Sequence, residues 1–266
     1  MTASTPAQLG RSASLLRPLS DVGVVVWRHL VQIRHNPEQL IEVAVQPVLF
    51  VFLFGIVLAG QMSVGGGDYL TYVVPGLIVQ AGVLVTARTA IGLHADVHGG
   101  LMQRLQTLPI SRLAPLAGRI VADFVMLLWS LLILVATATA IGYRASVTPA
   151  TVAAVLGVIF TFAFCLSWPA ILAALTVRSA ESVQAIAFGT MLPLTILSGA
   201  FVDTATVPQW LQPIMRWNPV TIATEVLRDL IAGAGVAGSV MPFLLVCGVL
   251  VIVFMPLATR AFARER

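Results

Sequence analysis

The sequence predicts an all-α integral membrane protein with six membrane-spanning helices. Three observations carry this. The chain is 58% hydrophobic and only 10% charged over 266 residues, with a mean hydropathy of +0.96, far from the balance of a soluble domain. Its apolar runs are long enough to cross a bilayer and are separated by short polar segments. Its basic residues collect in alternate segments, as expected of cytoplasmic loops. Removing the apolar runs leaves no soluble domain of useful size, so one membrane domain is expected.

Residues 1–18 read as a disordered leader containing Ser, Ala, Arg11 and Arg17. They lack the charged-then-apolar pattern of a cleavable signal, which keeps the N-terminus in the cytoplasm. Residues 19–35 form an amphipathic interfacial helix. From Ser20 to Arg34, Val22, Val26, Leu30 and Ile33 share one face and Asp21, Arg28 and Gln32 another, with Trp27 and His29 near the flanks. Asn36-Pro37 then supplies an N-cap and a first helical residue, so a new helix starts there and opens a membrane domain over 36–266.

The first span covers about 37–60. Glu38, Glu42 and Gln46 lie four apart on one face, and a carboxylate deep in lipid is costly, so this stripe faces protein or water. It reads either as a polar lining or as an interfacial helix start packed on its neighbours. Gln61 to Asp68 carries Gly65-Gly66-Gly67 and no basic residue, as an outer loop should. The second span, about 69–93, contains Pro75, Gly76 and Arg88. Arg88 stands little more than a turn from the cytoplasmic end and can snorkel, although a substrate contact stays open.

The stretch from His94 to Asp123 is polar, basic and broken by Gly99-Gly100 and Pro109. His94 and His98 flank Asp96, but no third ligand or catalytic Glu accompanies them, so they read as interfacial polar residues and no metal site is expected. Arg119 and Asp123, four apart, are expected to pair. The third span runs over about 118–143, an outer turn over 144–149 and the fourth span over about 150–176, with a kink expected at Trp168-Pro169. Arg178 to Gln184 is an inner loop.

The fifth span, about 184–202, is interrupted by Pro193 and Ser198-Gly199, the pattern of a broken membrane helix. After it, Val207, Trp210, Leu211 and Ile214 recur at helical spacing between Pro208, Pro213 and Pro219. This piece is too short to span, and Trp210 and Trp217 are of the type enriched where lipid meets water, so it forms a re-entrant hairpin in the outer interface. On the return helix Glu225, Arg228 and Asp229 stand at i,i+3 and i,i+4 spacing. A Gly-rich linker, 233–239, leads to the sixth span, about 240–259, followed by Arg260, Arg264 and Arg266.

With both termini inside, only Arg144, Arg216 and Arg228 among the fifteen basic residues fall outside, satisfying the positive-inside rule. The same placement explains the net charge of +4 without nucleic acid. Cys165 and Cys247 lie in apolar runs without ligand spacing and read as buried small hydrophobes. No spacing assembles a nucleophile with a base, a carboxylate pair or a metal cluster, so no catalytic residue is expected.

Three stretches carry a resemblance. PLTILSGAFVD (193–203), VPQWLQPI (207–214) and NPVTIATEVLRDLIAG (218–233) closely resemble the last third of permease subunits of type-2 ATP-binding-cassette (ABC) transporters, particularly drug-resistance exporters of the daunorubicin kind. The LPISR core (108–112) with Gly118-Arg119 and a run ending at Asp123 also resembles that family, and six spans with both ends inside match its architecture over nearly the whole chain. The resemblance implies a cytoplasmic coupling helix before this core that seats in a cleft of an ATPase. Met102, Leu105 and Leu108 would form its apolar ridge and Arg104 its charged anchor, followed by Pro109, Ile110, Ser111 and Arg112.

It further implies a permease in the cytoplasmic membrane, paired with a second copy or a related permease and driven by ABC ATPase subunits in trans. All the basic residues of the chain are Arg, and a P-loop requires Lys, so ATP and Mg belong to the partner and this chain is not the ATPase. The second and fifth spans would line the pathway, with Gln80, Thr86, Arg88, Thr190, Thr195 and Ser198 as candidates, and their sparse polarity suits an amphiphilic drug, antibiotic or lipid-like cargo. Small polar residues also pack helix against helix, which is the plainer reading of these. Pro208, Trp210, Trp217, Asn218, Pro219, Glu225 and Arg228 would form an outer gate, or simply seal the outer face of the dimer. The alternative is a gradient-driven secondary transporter or channel; it predicts an inverted repeat and a charged midplane site, neither of which is found.

Overall fold

A computed structural model describes residues 37–58, 69–99, 114–145 and 147–264. The leader, the amphipathic helix over 19–35 and the coupling segment with Met102, Arg104, Leu105, Leu108, Pro109, Ile110, Ser111 and Arg112 lie outside the described residues. The described residues form helices and turns without a strand.

Helix α1 (Pro37–Phe52) runs on through a π-helical stretch, Leu53–Leu58. Then come α2 (Tyr69–His98), α3 (Ala114–Ala140), α4 (Pro149–Thr176), α5 (Ala180–Ile196), the short α6 (Gln212–Arg216), α7 (Pro219–Ala232) and α8 (Ala237–Arg264). Five segments are long and apolar enough to cross a membrane: Leu40–Val57, Tyr69–His98, Gly118–Ala140, Pro149–Thr176 and Ala237–Phe262. At 17 residues, α5 reaches only about 26 Å along its axis, short of a hydrocarbon core of about 30 Å.

Local chemistry sets these boundaries. Thr148 caps α4, its hydroxyl accepting from the Thr151 amide at 3.1 Å, with Pro149 at the first helical position. Ser179 caps α5 in the same way through the Ser182 amide, at 3.2 Å. The stretch 178–184, expected as a loop, is therefore mostly the first turn of a helix. At its other end α5 stops at Ile196, where the sequence predicted a span to 202, and the chain folds into turns. Third-span residues 141–143 form the turn after α3, and the Gly-rich linker shortens to 233–236 because α8 begins at Ala237.

Helix α2 is the hub. It packs on α3, α4, α5 and α7, and its small residues permit close approach, as in other membrane bundles. A methyl on Gly76 would stand 2.5 Å from the Ala200 carbonyl oxygen, so α2 touches the backbone of the turn after α5. One apolar core joins Val73, Leu77, Val83, Ile159, Phe162, Val226 and Leu227, and a second joins Leu93, Trp168, Ile171 and Phe262. Helix α1 with its π-helical continuation, and helix α8, turn Leu49, Ile56, Leu245 and Ile252 outward. In water such faces would drive aggregation; against lipid tails they carry no penalty.

Candidate functional site

Four helices meet around a chamber of about 470 Å³. Its wall takes Glu42 and Gln46 from α1, Leu84, Arg88 and Gly92 from α2, Arg119, Asp123 and Met126 from α3, and Gln184 and Phe188 from α5. The charged residues cluster at one end of the bundle, the end from which residues 100–113 depart. They are also paired. Arg88 reaches Glu42 at 3.4 Å across α1 and α2. The snorkelling expected of Arg88 thus ends at a carboxylate of the Glu38-Glu42-Gln46 stripe.

Arg119 holds the base of the chamber. Its guanidinium lies 3.3 Å from Asp123, as the spacing predicted, and 3.3 Å from Asp96 on α2. It also donates to the Arg88 carbonyl at 3.2 Å, while Asp123 accepts from Thr89 at 2.6 Å. The guanidinium lies directly on Gly92, where any Cβ would collide with it. One planar fork of donors therefore joins the C-terminal part of α2 to the start of α3, the two helices that bracket residues 100–113. His94 is buried, with Nδ1 3.0 Å from the Ala174 carbonyl oxygen, and its ring centre lies 4.0 Å from that of His98 with the planes tilted by 32°. Among the described residues no group of three His, Cys, Asp or Glu could hold a metal ion.

The predicted lining residues separate. Gln80 and Arg88 line a smaller void of about 20 Å³ that shares Val43, Gln46, Leu84, Val85 and Arg88 with the chamber wall. Thr86 is buried between α2 and α5, donating to the Val83 carbonyl at 2.6 Å and touching the Met191 sulfur at 3.7 Å. Thr195 bonds back to Met191, Ser198 is buried in the turn after α5, and exposed Thr190 bonds back to Ile186. Asp123, Ser130 and Gln184 were not among the predicted lining residues. Ser130 is the lone polar residue between Met126 and Val135, a signal that only helix packing makes interpretable.

At the other end, residues 197–211 form a latch of turns. Asn218 bridges two helices: Oδ1 accepts from the Val220 amide at 2.9 Å, capping α7, and Nδ2 donates to the Leu194 and Leu197 carbonyls at 2.7 and 2.8 Å, closing α5. The Gly199 amide donates to Thr221 Oγ1 at 2.8 Å. Arg228 donates to the carbonyls of Tyr72 and Ala200 at 3.1 Å each and lies 3.6 Å over the Tyr72 ring. Burial pulls its pKa down while Tyr72 and Glu225 pull it back up; an arginine stays charged throughout. Phe201 stacks on Phe54 at 4.3 Å. The contacts expected within Glu225, Arg228 and Asp229 give way to these: among the described residues Arg228 has no ion pair, Glu225 is exposed, and Asp229 accepts from Ser239 at 2.6 Å. Pro208, Trp210 and Trp217 face outward, while Pro219 is half-buried at the start of α7.

Several apolar crossings, a half-open chamber with paired charges at one end and a latched turn at the other define a multi-pass membrane protein with a cavity among four of its helices. Its residues 20–232 match the sequence profile of the ABC-2 type transporter family, and the chain belongs to that family. It is 33% identical over 242 residues, 90% of this chain and 85% of the relative, to the daunorubicin resistance ABC transporter permease protein of Streptomyces coeruleorubidus. It is 29% identical over 229 residues, 82% of this chain and 80% of the relative, to a protein of Mycobacterium tuberculosis named a probable doxorubicin resistance ABC transporter permease.

Proposed function

We propose that the chain is the permease subunit of an ATP-driven exporter that moves an amphiphilic drug, antibiotic or lipid-like molecule across the cytoplasmic membrane. The observation that carries this is the chamber. It is polar and charge-paired at the end of the bundle from which residues 100–113 depart, and apolar toward Phe188 and Met126, as an amphiphile entering from the cytoplasmic side requires. Helix α5 with its following turns makes the sixth crossing, the short α6 with Trp210 and Trp217 lies in the outer interface, and both termini are cytoplasmic. ATP and Mg are bound by ABC ATPase subunits in trans, and a second permease copy or a related one completes the pathway.

In this reading residues 102–112 seat in the ATPase. Closure of the ATPases moves the coupling segment, Arg119 carries that motion into α2 and α3 together, and the chamber narrows from below as the latch at 197–211 yields above. Gln80 and Arg88 meet cargo, while Thr86 holds α2 against α5 through the Met191 sulfur. The test is affinity purification of the solubilised protein from its native membrane, with and without Arg104→Glu and Leu105→Asp. A P-loop ATPase co-purifying with the parent and lost from the double variant is the expected result. A transport-competent protein without any ATPase partner overturns the reading.

A further inference from the structure

The void of about 20 Å³ beside the chamber is lined by four polar side chains from three helices: Gln46 of α1, Gln80 and Arg88 of α2, and Ser130 of α3. Gln80 is 6% exposed and Ser130 5%. Gln80 Oε1 is buried without a hydrogen-bond partner. Pro47 has no amide hydrogen to give the Val43 carbonyl four residues back, and both residues line the same void. Beyond these four side chains the wall is apolar, with Phe50, Leu77, Ala81 and Leu134.

An unpaired amide oxygen in a membrane interior is costly. A buried water needs about 10–15 Å³ and two to four polar partners, and this void offers both. We infer that it is a hydroxyl-recognition subsite: a single water fills it when the chamber is empty, and a hydroxyl on a ligand in the chamber takes the place of that water. The shared wall at Val43, Gln46, Leu84, Val85 and Arg88 is the route by which the ligand's tail stays in the chamber while its hydroxyl enters. Gln80 Oε1 accepts from the hydroxyl; Ser130 and the Gln46 amide donate to its oxygen. The extension from ligand to cargo rests on the chamber being the exporter's inner vestibule; the subsite itself does not.

The test uses the full chain in lipid nanodiscs with nitrogen-labelled glutamine side chains, reading magnetisation transfer from water to the Gln80 amide, assigned by its loss in Gln80→Met. Decanol and decyl methyl ether serve as probes of equal tail with and without a hydroxyl donor. The expected result is a water cross-peak that decanol replaces with one to its own carbinol protons, while the ether leaves it in place. No water cross-peak means a dry void and overturns the inference. A water peak that neither probe displaces, or that both displace, overturns hydroxyl recognition. Thermal melting gives a second readout. Gln80→Met lowers the melting temperature of a hydrated subsite, because it removes a bonded partner, whereas it raises that of a dry one by removing an orphaned oxygen. None of these readouts needs ATP or an ATPase, so failure here and failure of the exporter reading are separate results.

Discussion

Two residues do more than their sequence positions announce. Asn218 closes α5 with its amide group and opens α7 with its carbonyl oxygen. Asn218→Ala leaves buried helix-end groups without partners and is predicted to cost about 2–3 kcal/mol, read as a lower melting temperature in detergent; Asn218→Asp restores the cap but not the two donated bonds and recovers only part of the loss. Arg119 meets Asp96, Asp123 and the Arg88 carbonyl at once. Arg119→Gln is predicted to cost about 2–3 kcal/mol, somewhat less than breaking a fully buried ion pair. Arg119→Lys recovers little, since one ammonium cannot reach acceptors fanned around a planar fork. The sequence announced the Arg119–Asp123 pair by spacing alone. It could not announce Asp96, Arg88–Glu42 or Arg228–Tyr72, because those partners come from other helices and depend on how the helices rotate against one another.

At the scale of elements, hydropathy placed α1, α2, α3, α4 and α8 well, because an apolar run of bilayer length has few other uses. It misjudged α5 at both ends. Ser179 starts the helix where polar composition pointed to a loop. Ser198, Gly199 and Thr221 end it early through hydrogen bonds that a sliding average cannot weigh. The contact of Gly76 with Ala200 was equally hidden, since a glycine in a membrane helix gives no partner by itself. Gly76→Val is predicted to push α2 off the latch, costing about 1–3 kcal/mol through overpacking, and protease sensitivity near residues 197–211 should rise with it. Gly157→Val, whose helix face is open, should leave both unchanged.

The described residues form a charge-paired chamber at one end, a latched turn at the other and a buried central helix between them. Membership of the ABC-2 family was legible from the linked motifs at 193–233, but the chamber was not, because its wall is assembled from four helices. The central claim is that transport through this frame draws on ATP hydrolysed by a separate subunit. The most direct measurement is uptake of an amphiphilic rhodamine dye into inverted membrane vesicles containing the complex, with ATP and Mg supplied or withheld and the proton gradient intact or collapsed. Uptake that requires ATP and Mg and survives an uncoupler is the predicted result. Uptake that persists without ATP and disappears when the gradient collapses would contradict it and make the protein a gradient-driven carrier.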